Sequence, residues 1–149
     1  MSEEIPTILE KPFAVRIADW TLDLELLRAI REEVFVREQK VPIELEWDDL
    51  DSTCAHVLAM AAEVAIGTGR LLPDGHIGRM AVLAPWRGLG VGSAMLTTLI
   101  DLARQRKLSR LELHAQEHAI GFYQRHGFAT EGEKFDEAGI PHRRMVMNL

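Results

Sequence analysis

Gly78-Arg-Met-Ala-Val-Leu-Ala-Pro-Trp-Arg-Gly-Leu-Gly-Val-Gly-Ser93 strings three local signals together. An apolar run ends at Pro85, Arg87-x-x-Gly90-x-Gly92 follows, and an uncharged stretch with helical periodicity begins. This order reads as strand, tight glycine turn and helix start. Glycine lets a backbone approach a ligand closely, and a helix N-terminus offers unpaired N–H groups and positive partial charge. The turn therefore suits an anion, above all a phosphate.

The flanks read as a mixed sheet with helices. Phe13 to Ile17 predicts a first strand. Asp19 or Thr21 is placed to cap a helix with Leu22, Leu26, Ile30 and Val34 at steps of four. Gln39 to Ser52 reads as loop, with Val41, Leu45 and Trp47 as its anchors. His56 to Met60 and Val64 to Leu72 are strands, Pro73-Asp-Gly75 is a turn, and His76 to Leu83 is a further strand. The helix after Gly92 carries Met95, Leu99 and Leu102 beside Leu96, Ile100 and Ala103, and ends in Arg104, Arg106 and Lys107. Arg110 to Ala115 is a strand, Glu117 to His126 a short helix stopped by Gly127, and Thr130 to Phe135 and Arg143 to Asn148 close the chain across a turn at Glu137 to Pro141. The order β-α-β-β-β-α-β-α-β-β predicts an α+β fold, a mixed sheet of six to seven strands with helices on both faces.

Bulk properties narrow the function. A chain of 149 residues fits one domain, 1–149, and 47% hydrophobic with 27% charged residues is ordinary for a globular protein. The single cysteine, Cys54, forms no disulfide framework or cysteine metal site within the chain and fits a reducing cytoplasm. Met1-Ser-Glu-Glu-Ile-Pro6 lacks the basic and apolar regions of a signal peptide, and no apolar run reaches the roughly 18 residues of a membrane helix. The net charge of −6 argues against nucleic acid as partner. Glu44, Glu46, Asp48, Asp49 and Asp51 form an acidic run without a base. It reads either as a solvated loop or as a mouth attracting a cationic amine.

Three stretches resemble the GNAT superfamily of acyl-CoA-dependent N-acyltransferases, and the likeness covers nearly all of the chain. Arg87-Gly-Leu-Gly-Val-Gly92 is similar to the family's (Gln/Arg)-x-x-Gly-x-(Gly/Ala) pyrophosphate loop. Gln116-x-x-Ala119-x-x-Phe122-Tyr123-x-x-x-Gly127-Phe128 resembles its second cofactor segment. Val34-Phe-Val-Arg-Glu-Gln-Lys-Val-Pro42 resembles the first-helix exit of one subgroup of small-molecule acetyltransferases. Two positions depart from the pattern. Pro85 lies two residues before Arg87, where many relatives have proline three before. Gln116 stands where many have asparagine.

The resemblance implies a sheet splayed in the middle, with Met80, Ala81 and Val82 offering backbone groups to the pantetheine arm of acetyl-CoA. It implies that the N–H groups from Arg87 through Gly88, Leu89, Gly90, Val91 and Gly92 to Ser93 hold the pyrophosphate, with side-chain help from Arg87 and Arg125. Gln116, Ala119, Phe122 and Tyr123 complete the cofactor set, and Glu38 and Gln39 at the first-helix exit the acceptor side. Trp47 reads, from the residue itself, either as packing or as a wall of the acceptor pocket. Analogy also suggests a homodimer.

Moving an acyl group from a thioester to an amine needs a neutral amine, a donor at the carbonyl oxygen and a proton for the departing sulfur. A backbone N–H near Val82 resembles the family's carbonyl donor. Tyr123, the only tyrosine, is the expected general acid, since a phenol with pKa about 10 keeps its proton at neutral pH. Deprotonating an amine of pKa about 10 at pH 7 costs roughly 4 kcal/mol. Glu38 and His114 lead the candidates for that base, with Glu44, Glu46, Asp48 and His56 behind them and a water relay as the alternative to any side chain. His114, His118 and His126 are spaced wrongly for a three-ligand metal face, so no metal is expected. Nothing sets Cys54 beside the cofactor as a nucleophile, so direct attack on acetyl-CoA by a small-molecule amine in a ternary complex is the expected route.

Two rivals compete. Gly88-x-Gly90-x-x-Ser93 nearly matches a dinucleotide fingerprint with Glu112 downstream, but the third glycine is serine and too little chain follows for a doubly wound oxidoreductase. A phosphate-loop NTPase lacks its Gly-Lys-Ser/Thr. The other rival is a catalytically silent acyl-CoA-binding sensor or scaffold.

Overall fold

A computed structural model describes residues 12–149, so the reading of Met1 to Pro6 lies outside the described residues. Seven strands form one sheet in the order β1-β2-β3-β4-β5-β7-β6. They are β1 (Ala14–Ala18), β2 (Ala55–Ala61), β3 (Val64–Leu71), β4 (His76–Val82), β5 (Arg110–Gln116), β6 (Ala129–Glu137) and β7 (Ile140–Asn148). β4 and β5 run parallel, and the other neighbouring pairs run antiparallel. This is the expected α+β architecture.

Helices cover both faces. On one face lies α1 (Leu24–Arg31), extended by π-helical turns over Glu32–Glu38. Leu27, Ile30 and Val34 pack there on Leu58 and Ala81. On the other face α3 (Val91–Gln105) sets Met95, Leu96, Leu99, Ile100 and Ala103 against Val57, Ala59, Ile66, Leu111 and Leu113. β2 shows why its sequence is nearly all apolar: Val57 and Ala59 face α3, Leu58 faces α1, and all three are buried.

Four expectations change. The first helix starts at Leu24, and Leu22 is 84% exposed. Asp19 organises the turn ahead of the helix, its Oδ1 accepting from Thr21 and Leu22 N–H, but the N-cap is Asp23, with no capping side-chain bond. The buried stripe is Leu27, Ile30, Arg31 and Val34, because steps of four drift by about 40° each around a 3.6-residue helix. The loop from Gln39 to Ser52 contains a helical turn, α2 (Ile43–Glu46), and a 3₁₀ turn follows at Asp51–Thr53. The last hairpin is tighter than read: Glu137 pairs with Ile140, and Ala138 and Gly139 alone turn the chain with φ of 51° and 77°. The helix expected over Glu117 to His126 begins as a 3₁₀ turn at Glu117–Ala119, continued by α4 (Ile120–Arg125).

The turn at Pro73-Asp-Gly75 joins β3 to β4 and meets β5. Gly75 N–H donates to Leu72 C=O at 3.0 Å, and Gly75 C=O accepts from Glu112 N–H at 3.1 Å. Gly75 holds φ of 99°, and a Cβ there would stand 2.3 Å from the Arg110 carbonyl oxygen. Gly75→Ala combines backbone strain with a backbone clash, so it should lower stability by about 3 kcal/mol. Urea titration of the variant against the parent protein checks this.

Candidate active site

β4 carries one residue more than its partner needs. Thr68 pairs with Ala81 and Arg70 with Gly78, so Arg79 and Met80 share the place opposite Gly69. Arg79 takes a left-handed φ of 52° to make this bulge. β4 and β5 pair at His76↔Glu112 and Ile77↔Leu113 and then part. Two strand edges beyond that point face a gap, and unpaired edges take partners. The gap opens into a cavity of about 1240 Å³.

Arg87 and Gly92 bring the glycine turn to the cavity wall. Gly88 and Gly90 hold φ of 76° and 89°, and a Cβ on either would meet nothing within 4 Å. Glycine is needed there for its backbone angle, not for room. Gly90 is the N-cap of α3, and no side chain caps that helix, which leaves its leading N–H groups for an anion. Leu89, Val91 and Ser93 belong to this turn but not to the cavity wall, and the Ser93 hydroxyl lies 3.0 Å from His126 Nε2.

Met80, Ala81 and Val82 line the gap from β4, and Ala119, Phe122 and Tyr123 from the segment after β5. Tyr123 is buried between Phe122 and Phe128, both edge-on to its ring. Burial pushes its phenol up to about 12, so it stays protonated across the physiological range. Arg125 is exposed on α4 and does not line the cavity.

The first-helix exit reaches both sides of the gap. Arg87 donates to Glu38 Oε1 at 2.8 Å and also to Oε2, while its Nε donates to the Val82 carbonyl at 2.9 Å. The Arg87 hydrogen bonds hold the Glu38 carboxyl below its ordinary range, which weakens it as a base. Gln39 and Gln116 exchange amide hydrogen bonds at 2.9 and 3.4 Å. The extra length of Gln116 over asparagine is thus spent on the helix exit.

The acidic run is neither wholly solvated nor a free anionic mouth. Glu44, Asp48 and Asp49 are exposed, but Glu46 and Asp51 are 2% and 4% exposed. Asp51 accepts from Arg31 and Arg70, both at 2.8 Å. Glu46 meets Arg31 at 3.4 Å and Arg79 at 3.2 Å, and Asp48 meets Arg70 at 2.9 Å. Burial raises the Glu46 carboxyl, against the pull of Arg79 and Arg31. Trp47 does not wall the cavity. Its ring lies under the Arg31 guanidinium at 4.6 Å, so the expected acceptor contact becomes a cation–π support. His56 is buried, 2.8 Å from the Asp51 carbonyl and stacked on Trp20, away from the cavity. The sequence reading passed over Arg79, because the bulge that turns it appears only when β4 is set against β3.

Three histidines line the cavity wall from the strands. His76 stands where β4 and β5 are still paired, at the root of the gap, 2.9 Å from both Asp74 and Glu112. Burial would lower it, but hydrogen bonds to those carboxylates win and raise it. His114 meets Glu137, and His142 is buried beside the same carboxylate. His118 also touches the cavity, from the 3₁₀ turn. Glu137 and His142 were missed too: Glu137 read as a turn residue, and His142 fell between the expected strands.

The profile of the acetyltransferase (GNAT) domain family matches residues 26–149. The uncharacterized N-acetyltransferase YjcF of Bacillus subtilis is 40% identical over 121 residues, covering 78% of this chain and 86% of that one. The chain belongs to the GNAT acetyltransferases. Solved structures agree: an acyl-CoA N-acyltransferase from Pseudomonas aeruginosa superposes with a TM-score of 0.80 at 32% identity, over 91% of this chain and 98% of that one. ElaA of Escherichia coli superposes with a TM-score of 0.82 at 26% identity, over 91% and 99%. As a GNAT protein this chain is an acyl-CoA-dependent N-acyltransferase, and the gap between β4 and β5 is the feature of its fold suited to an acyl-CoA.

The lone tyrosine of this GNAT domain makes its ionisation directly readable. Below pH 10.0, the ordinary value, folded and unfolded chains both keep the phenol proton. Between 10 and about 12 the unfolded chain ionises first, so the fold loses up to about 3 kcal/mol as pH rises. Ultraviolet titration of tyrosinate should show a midpoint well above 10 in the folded protein, and Tyr123→Phe should abolish both the signal and this part of the alkaline stability loss.

Proposed function

We propose that this protein transfers an acetyl group from acetyl-CoA to the amine of a small molecule, by direct attack in a ternary complex. The reading takes the 149 residues as one N-acetyltransferase domain acting in the cytoplasm. The observation that carries it is the gap beyond Ile77↔Leu113, bounded by an uncapped helix N-terminus and by a buried, protonated tyrosine.

Bound acetyl-CoA supplies the activated acyl group. The turn fits its diphosphate: the α3 N–H groups lack a capping side chain, and Gly88 and Gly90 leave open space beside the backbone. Backbone groups of Met80, Ala81 and Val82 suit the arm as an added strand, and the N–H near Val82 suits the acyl oxygen. Gln116, Ala119 and Phe122 bound the other side of the arm. Arg87 moves from Glu38 toward phosphate in this scheme, because one guanidinium fork cannot serve a carboxylate and a phosphate at once. Arg125 is assigned a phosphate contact at the outer rim.

Tyr123 acts as the general acid, keeping its proton until sulfur needs it. His114 is the base this arrangement favours, and Glu38 is its alternative once Arg87 has moved. Glu38 and Gln39 border the acceptor at the helix exit. Tyr123→Phe should lower kcat well over tenfold while leaving the Kd for coenzyme A within about twofold. Free-thiol release from acetyl-CoA with a panel of amines measures it. Tight cofactor binding without release for any amine would favour the silent sensor.

A further inference from the structure

We propose that Glu137 is a positioning residue for His114, and that the two form a carboxylate–imidazole dyad whose free nitrogen serves the acceptor amine. This rests on the reading of His114 as base. His114 Nδ1 lies 2.9 Å from Glu137 Oε1. An ionised carboxylate only accepts, so Nδ1 carries the proton, and neutral His114 keeps its lone pair on Nε2. Nε2 has no hydrogen-bond partner among the described residues, and His114 borders the large cavity together with Glu137.

The ring is held on other sides as well. Phe135 packs edge-on against His114, with centroids 5.0 Å apart and planes at 80°. Phe135 also stacks on His142, which is buried. His142 gives its Nδ1–H to the Ile140 carbonyl at 2.6 Å, and its Nε2 stands 3.7 Å from Glu137 Oε2, beyond hydrogen-bond range. Across the sheet, His114 is the register partner of Arg144, which is taken up by Glu131 of β6. Glu131 and Glu133 border a small hollow beside the ring. Of these groups, Glu137 alone bonds the imidazole.

The hairpin makes this possible. The two-residue turn at Ala138 and Gly139 puts Glu137 in register with Ile140, while Gln116 at the end of β5 pairs with His142. Glu137 therefore overhangs the same stretch of β5 that carries His114. In the step it supports, an N–H bond of the substrate ammonium breaks, its electron pair stays on nitrogen, and the proton passes to His114 Nε2 and then to solvent. The Glu137 carboxylate faces the imidazolium that forms.

Long-range proton–nitrogen NMR reads the tautomer directly, at a pH where the ring is neutral. The Nδ1–H form of His114 is expected in the parent protein and in Glu137→Gln, whose amide oxygen still accepts. It should be lost in Glu137→Ala. An Nε2–H form in the parent protein, or no change in Glu137→Ala, overturns the proposal. In the acetylation assay, Glu137→Ala should lower kcat about tenfold to a hundredfold with the KM for acetyl-CoA unchanged. Added to His114→Ala it should cost nothing more, since a positioning residue acts through its partner. Independent, additive losses would assign Glu137 a separate role and sink the dyad. If the parent protein acetylates no amine, the acetyltransferase reading fails by itself, while the tautomer still decides the pairing.

Discussion

Parallel strands β4 and β5 hold together over His76 and Ile77 and no further, because the extra residue at Arg79 bends β4 out of line. Every site feature depends on that break. It opens the cavity, exposes two backbone edges, and lets α3 begin beside the gap with its N–H groups uncapped. The break is bounded at its root by firm anchors. Gly75 ties the β3–β4 turn to Glu112, and His76 bridges Asp74 and Glu112. A gap with a clamped base keeps its width, which is what a site that grips an extended ligand by backbone groups requires.

The strained residue at the bulge is itself restrained. Arg79 reaches Glu46, which meets Arg31, which meets Asp51, which meets Arg70 and through it Asp48. Arg31 and Asp51 are almost fully buried. Such a cluster adds little net stability, because desolvation offsets the attraction, yet removing any member leaves a buried charge without a partner. Its consequence here is placement. It pins the segment after the first helix onto β3 and β4, so that Phe35, Val41 and Leu45 stand over the cavity.

Glu38 and Gln39 then contact opposite sides of the gap, one through Arg87 at the glycine turn and the other through Gln116 at the end of β5. The π-helical turns before them set this reach, with Gln39 N–H bonding to the Val34 carbonyl five residues back. Helix exit, glycine turn and β5 are thereby joined by side chains that also border the cavity. This is a short route by which filling one part can affect another.

Local rules went far on this chain. Glycines at φ above zero, an apolar stripe on α3, alternation on β5 and the turn at Gly75 are all set by neighbours a few residues apart, and strand and helix order followed from them. The three stretches around Val34, Arg87 and Gln116 were enough to point to the GNAT family for the same reason, since each pattern is complete within a short segment. What escaped were partnerships across long separations. Trp47 read as packing or as an acceptor wall, with no sign that Arg31 is what it covers; the acidic run read as solvent or substrate mouth but is half neutralised by Arg31, Arg70 and Arg79, and Glu137 read as a turn residue but meets His114. A charged side chain chooses its partner by distance after the sheet has closed, and strand register, bulge and hairpin length set that distance. None of the three is written in the spacing of a single segment.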